Sequence, residues 1–80
     1  MLHVISAKYL QDYRFYLELD DGSQGVVDLE ASLTGPVFTP LKSVELFKKG
    51  RLDPELETLA WPNGADFAPE YLKQLLQHPS

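Results

Sequence analysis

From Tyr13 to Asp20 the chain alternates without a break: Tyr13, Phe15, Leu17 and Leu19 fall between Arg14, Tyr16, Glu18 and Asp20. Successive side chains of a strand point to opposite faces, so this period of two predicts a strand with one buried and one wet face. The next residues, Asp20-Asp21-Gly22-Ser23, are turn formers, and Gly22 is free to take a positive φ. Extended character resumes from Gln24 to Leu29 through Val26, Val27 and Leu29. A lone hairpin is marginal in water, so further strands or helices must cover its apolar face.

The flanking segments supply them. His3 to Tyr9 reads as another strand, with Leu2, Val4 and Ala7 facing inward and Gln11-Asp12 as its turn. Glu30 to Thr39 holds the breaker pair Gly35-Pro36 and reads as a loop presenting Val37 and Phe38 to the core. A helix is expected next, capped by Thr39 with Pro40 at its first position. Leu41, Val44 and Phe47 form its apolar face, widened by Leu46. Lys48 and Lys49 suit its last turn and Gly50 its C-terminal cap, while Ser43 is a competing start that would leave a shorter helix.

Arg51 to Trp61 predicts two short strands about a turn near Asp53-Pro54-Glu55, and Pro62-Asn63-Gly64 is a strong turn signal. A last helix follows, with Asp66 as N-cap and Pro69 and Glu70 in its first turn. Phe67, Tyr71, Leu72, Leu75 and Leu76 make its apolar stripe, and His78-Pro79-Ser80 reads as a frayed tail. Residues 1–80 are thus expected to form one α+β domain. Its order is β-β-β-α-β-β-α, a small, mostly antiparallel sheet packed on one face by helices.

Composition excludes several functions. The chain has no cysteine, so disulfides, thiolate metal sites and thiol nucleophiles are out. Twelve acidic residues against seven basic ones give a net charge of −5, which repels nucleic acid and favours a basic protein partner. Only Lys48-Lys49-Gly50-Arg51 clusters positive charge. No apolar run is long enough for a membrane span, and Met1 to Lys8 does not read as a signal peptide. The expectation is a cytoplasmic protein. With so small a core, self-association into a homodimer is a further expectation.

Motifs that carry chemistry are scarce. His3 and His78 stand near opposite ends of the sequence without a nucleophile-elbow pattern, so His3 reads as a strand-face residue. Asp20, Asp21 and Asp28 fail the spacing of a calcium loop. Glu18, Glu30, Glu57, Asp66 and Glu70 are numerous enough that some pair will lie close by chance, and nothing in the sequence marks the shaped pocket that carboxylate catalysis needs. No phosphate-cradling glycine loop occurs, and no cofactor is expected.

Trp61-Pro62-Asn63-Gly64-Ala65-Asp66, followed by Phe67-Ala68-Pro69-Glu70 and Leu72, resembles the signature of the bacterial domain-of-unknown-function family 2442. The strand Tyr13–Leu19 with Asp21-Gly22, then Val26–Leu29, Gly35–Phe38, Pro40-Leu41 and Phe47 fit the same resemblance. It implies a small α+β domain, in some members fused to a helix-turn-helix segment or encoded beside small toxin-like or partner proteins. It brings no enzyme activity and no catalytic residues, and no helix-turn-helix is expected in residues 1–80. Trp61, Asn63, Gly64, Asp66 and Glu70 are the candidate signature or interaction residues. The leading expectation is a non-enzymatic protein-interaction module, the acidic half of a regulatory or toxin–antitoxin-like pair. The alternative is a small-ligand-binding or carboxylate-based enzymatic domain around Asp66 and Trp61.

Overall fold

A computed structural model describes residues 1–77; the expected tail His78-Pro79-Ser80 lies outside the described residues. Strands β1 (Val4–Gln11), β2 (Arg14–Leu19) and β3 (Gln24–Asp28) form an antiparallel meander in the order β1-β2-β3. Strands β4 (Arg51–Asp53) and β5 (Thr58–Ala60) form a second, two-stranded sheet rather than extending the first. The α+β expectation and the order of the strands are thus met, with the strands divided between two sheets and more helical segments between β3 and β4 than expected.

The alternation in β2 does what a period of two requires. Phe15, Leu17 and Leu19 are buried, while Arg14, Tyr16 and Glu18 stay half-open on the outer face. Opposite them, β1 changes register between Val4 and Ser6 and again between Tyr9 and Gln11. The first irregularity lets Val4 and Ala7 share the core face despite their odd spacing, and leaves Ile5 exposed. Asp12 turns the chain at φ 49, a left-handed conformation that Asp tolerates better than most residues. Gly22 takes φ 92 in the β2–β3 turn, as expected.

The middle of the chain departs from expectation. The segment read as a loop contains a 3-10 turn, Glu30–Ser32, and a helical turn, α1 (Gly35–Phe38). Of the pair meant for the core, Phe38 packs against it and stacks on Phe67 at 4.5 Å, but Val37 stays exposed. The expected single helix from Pro40 breaks at Ser43 into a 3-10 turn, Thr39–Lys42, and α2 (Val44–Phe47). Ser43 has an extended backbone, φ −72 and ψ 117, so it is the start of α2. Thr39 is not an N-cap but the C-cap of α1: its amide donates to the Gly35 carbonyl, and its hydroxyl donates to the same carbonyl at 2.6 Å. On either side of the break Leu41 and Phe47 are buried, as expected, while Leu46 is exposed, against the expected widening of the apolar face.

The last helix, α3 (Pro69–Gln77), buries Leu72 and packs Leu75 and Leu76 against the core. Two polar contacts fasten it. Lys73 Nζ lies 2.5 Å from Asp21 Oδ2 in the β2–β3 turn, and the hydroxyls of Tyr71 and Ser32 meet at 2.6 Å. The Lys73 ammonium, helped by the Ser23 amide, holds the Asp21 carboxyl down to about 2. A carboxyl depressed below its unfolded value of about 3.9 stabilises the fold above that pH and stops doing so as pH falls through about 2. Asp21→Asn keeps the acceptor for Ser23 and removes the charge. Its melting temperature is therefore expected to trail wild type at pH about 5 to 7 and to converge on it near pH 2 in a thermal-unfolding series.

Candidate functional site

The loop from Trp61 to Asp66 is built outward from one buried ring. Trp61 is 4% exposed, and its indole N–H donates to the Phe47 carbonyl at 2.7 Å. Phe15, Phe47 and Phe67 surround it with centroids at 6.0, 5.5 and 5.7 Å. Edge and tilted contacts of this kind suit the ring quadrupoles. Gly50 passes directly beside the indole: a Cβ there would lie 2.6 Å from both Cε2 and Nε1. Its φ is outside the left-handed region, so the expected C-cap role gives way to a close approach.

Beyond Trp61 the backbone turns through Pro62-Asn63, closed by the Gly64 amide on the Trp61 carbonyl at 3.0 Å. Gly64 takes φ 92, which requires glycine here. Asn63 is a clamp. Its Nδ2 donates to the Val37 carbonyl of α1 at 3.0 Å, and its Oδ1 accepts the Ala65 amide at 3.1 Å. Each such bond is worth about 1 kcal/mol net, so Asn63→Ala is expected to cost about 1–2 kcal/mol in urea unfolding.

Asp66 is not the N-cap of α3. It forms an isolated bridge with Ala60, and the Phe67 amide donates to the Leu59 carbonyl at 3.2 Å, so the segment runs beside β5. The helix begins only at Pro69, a residue type suited to a first helical position. Glu70 stands exposed in that first turn, as expected. The five signature residues therefore do not converge. One cavity of about 250 Å³ is lined by Pro40, Leu41, Leu46, Lys49, Trp61, Pro62 and Asn63; another of about 210 Å³ by Arg51, Asp53, Ala60, Trp61 and Pro62. Asp66 and Glu70 line neither.

The ionisable groups that do converge lie elsewhere. His3, Asp20, Asp53 and Glu57 line a depression of about 360 Å³ with Val4, Ile5, Leu52 and Pro54. His3 precedes β1 rather than lying on a strand face, and its ring stands between Asp20 and Glu57. The His3 amide, donating to Asp20 Oδ1 at 3.0 Å, holds that carboxyl below the usual range. Asp53 is held low by the amides of Leu56 and Glu55, which donate to its Oδ1 at 3.0 and 2.8 Å. On the outer sheet face, burial and the neighbouring Glu18 carboxylate push the Tyr16 phenol up.

Among the described residues no three His, Asp or Glu side chains are grouped to hold a metal ion. Every buried side-chain polar atom described has a partner. No described helix is long and apolar enough to cross a membrane. Sequence reading missed the His3 cluster, although half of it was legible. An antiparallel β1–β2 pair that matches Val4 with Leu19 necessarily brings His3 to Asp20. Glu57 left no comparable signal.

No curated protein and no solved structure matches the sequence. The model of a family described as protein of unknown function, DUF2442, matches residues 4–77. That span takes in every strand, the aromatic cage of Trp61 and the whole Trp61–Asp66 loop, so the chain belongs to the DUF2442 family.

Proposed function

We propose that the chain is a non-enzymatic interaction module, one half of a two-protein pair in the bacterial cytoplasm, which docks a basic partner on its acidic end. The carrying observation is the mixed lining of the 360 Å³ depression, where Asp20, Asp53 and Glu57 stand beside Ile5, Leu52 and Pro54. Lysine and arginine side chains combine a cationic head with an apolar stem, and such a lining matches both parts. The signature residues support the reading from the other direction. Trp61 and Asn63 spend their polar groups on the protein's own backbone and serve as framework.

A tagged pull-down from the native host, with an unrelated acidic domain of similar size as control, tests this reading. One stoichiometric basic protein is expected, and the purified pair should weaken as salt rises. Ile5 is 54% exposed at the rim, so Ile5→Lys should leave the fold intact and lower affinity at least about tenfold through charge repulsion. A complex indifferent to Ile5→Lys, or recovery of the protein bound only to itself, would sink the proposal. The apolar groove beside Trp61 favours a second reading, a small-ligand site. A metabolite screen that raises the melting temperature would then shift weight to it.

A further inference from the structure

Both ring nitrogens of His3 face carboxylates. Nδ1 is 3.1 Å from Asp20 Oδ2, and Nε2 is 2.7 Å from Glu57 Oε2. Asp20 opens the β2–β3 turn and Glu57 closes the β4–β5 turn, so the ring stands between the two sheets. Carboxylates only accept hydrogen bonds, and a neutral imidazole carries a single N–H. Only imidazolium can donate to both partners. The neutral ring must turn a lone pair toward one of two negative charges.

We propose that His3 is a proton-operated clasp between the two sheets, closed on both carboxylates when the imidazole is protonated and released from Glu57 when it is neutral. Geometry selects the arm that opens. Asp20 is tied to residue 3 twice more, through the His3 amide on its Oδ1 at 3.0 Å and its own amide on the His3 carbonyl at 2.9 Å. The Glu57 side chain is 49% exposed against 37% for Asp20, and its contact with Nε2 is an ion pair without a hydrogen bond to any described group, whereas Asp20 is hydrogen-bonded to Nδ1. Its backbone, at φ 55, is tied through its amide to the Asp53 carbonyl at 2.7 Å and through its carbonyl to the Val4 amide at 3.0 Å, so only the side chain is free to swing away.

The other charges near the ring do not compete for it. Asp53 lines the same depression, but its Oδ1 is committed to the Glu55 and Leu56 amides and its field is offset by Arg51. Asp21 is paired with Lys73, and the Met1 ammonium acts on Asp20. With Glu57 released, the Val4 amide on the Glu57 carbonyl, at 3.0 Å, is the backbone tie that remains between β1 and the β4–β5 turn. The freed carboxylate also joins the acidic end, so a basic partner should prefer the neutral-histidine form. That last consequence alone rests on the docking reading above.

Hydrogen exchange at the Val4 amide of the full chain, corrected for intrinsic rates, tests the clasp with no partner present. From a pH at which the imidazole is protonated to one at which it is neutral, protection is expected to fall about two- to fivefold, the usual worth of an exposed ion pair. His3→Gln and Glu57→Gln should show no such fall. Nitrogen-15 spectra of the neutral ring should place its proton on Nδ1, facing Asp20. Equal pH dependence in wild type and Glu57→Gln, or a neutral ring protonated at Nε2, would overturn the clasp. A hexa-arginine peptide titrated at the same two pH values reads the consequence separately. Tighter binding at the higher pH supports it, and no binding at either pH would defeat the docking reading while the exchange data still decide the clasp.

Discussion

Trp61→Ala is expected to cost about 3–5 kcal/mol of unfolding free energy, as removal of a large buried aromatic commonly does. For a domain with roughly 5–15 kcal/mol in hand, that removes between about a fifth and all of the stability. The cause is concentration of packing in one place. Trp61 joins Phe15 and Phe47, on one side, to Phe67 on the other, and Phe67 continues the stack to Phe38 and Tyr71 at 4.5 and 5.5 Å. Deleting the ring cuts a chain of contacts that runs from β2 to α3. Trp61→Phe should cost much less, about 1–3 kcal/mol, because most of the ring volume survives. Loss of the indole donor adds little, since the Phe47 carbonyl still accepts the Gly50 amide at 3.1 Å. Chemical unfolding followed by circular dichroism would check both values; fluorescence would not, because Trp61 is the sole tryptophan. Equal losses for alanine and phenylalanine would show that the hydrogen bond, and not the packing, carries the site.

Gly50→Ala is the second large effect, with an expected loss of about 1–3 kcal/mol typical of overpacking. Ordinarily this substitution would help. Where backbone φ suits any residue, alanine for glycine stabilises by about 0.4–1 kcal/mol by restricting the unfolded chain. Here a methyl group would sit 2.6 Å from an indole that cannot retreat, since its N–H is fixed on Phe47 and its faces are packed. The sign of the substitution therefore depends on the ring. In a Trp61→Leu background, Gly50→Ala is expected to become neutral or stabilising, and the double-mutant cycle should return a coupling of about 1–3 kcal/mol. A penalty that persists without the indole would trace it to the backbone instead.

Much of this architecture was legible in the sequence, and each legible part shares one property. The alternation of Tyr13 to Leu19, the Asp21-Gly22 turn, the Pro62-Asn63-Gly64 turn and the Leu72-Leu75-Leu76 stripe are patterns within a few residues. Covalent geometry sets them, because strand and helix periods and the φ freedom of glycine do not depend on distant partners. Local signals of equal strength nevertheless misled at three places. Asp66 has the chemistry of an N-cap but is drawn into a bridge with Ala60. Thr39-Pro40 has the chemistry of a helix start, yet it opens only a 3-10 turn, and α2 begins after the extended Ser43. Gly50 follows a helix as a C-cap glycine does, yet it is needed for the space it leaves.

The amino-acid sequence by itself settled the α+β class, the order of the strands and the last helix, the acidic balance and the absence of thiol chemistry. Tertiary structure alone decided which faces meet. It put Gly50 under Trp61, Asn63 on Val37, and His3 between Asp20 and a Glu57 that lies more than fifty residues further along the chain. The physical reason is that burial energy is non-directional and summed over the whole core, so it can overrule any single cap or turn preference of about 1 kcal/mol.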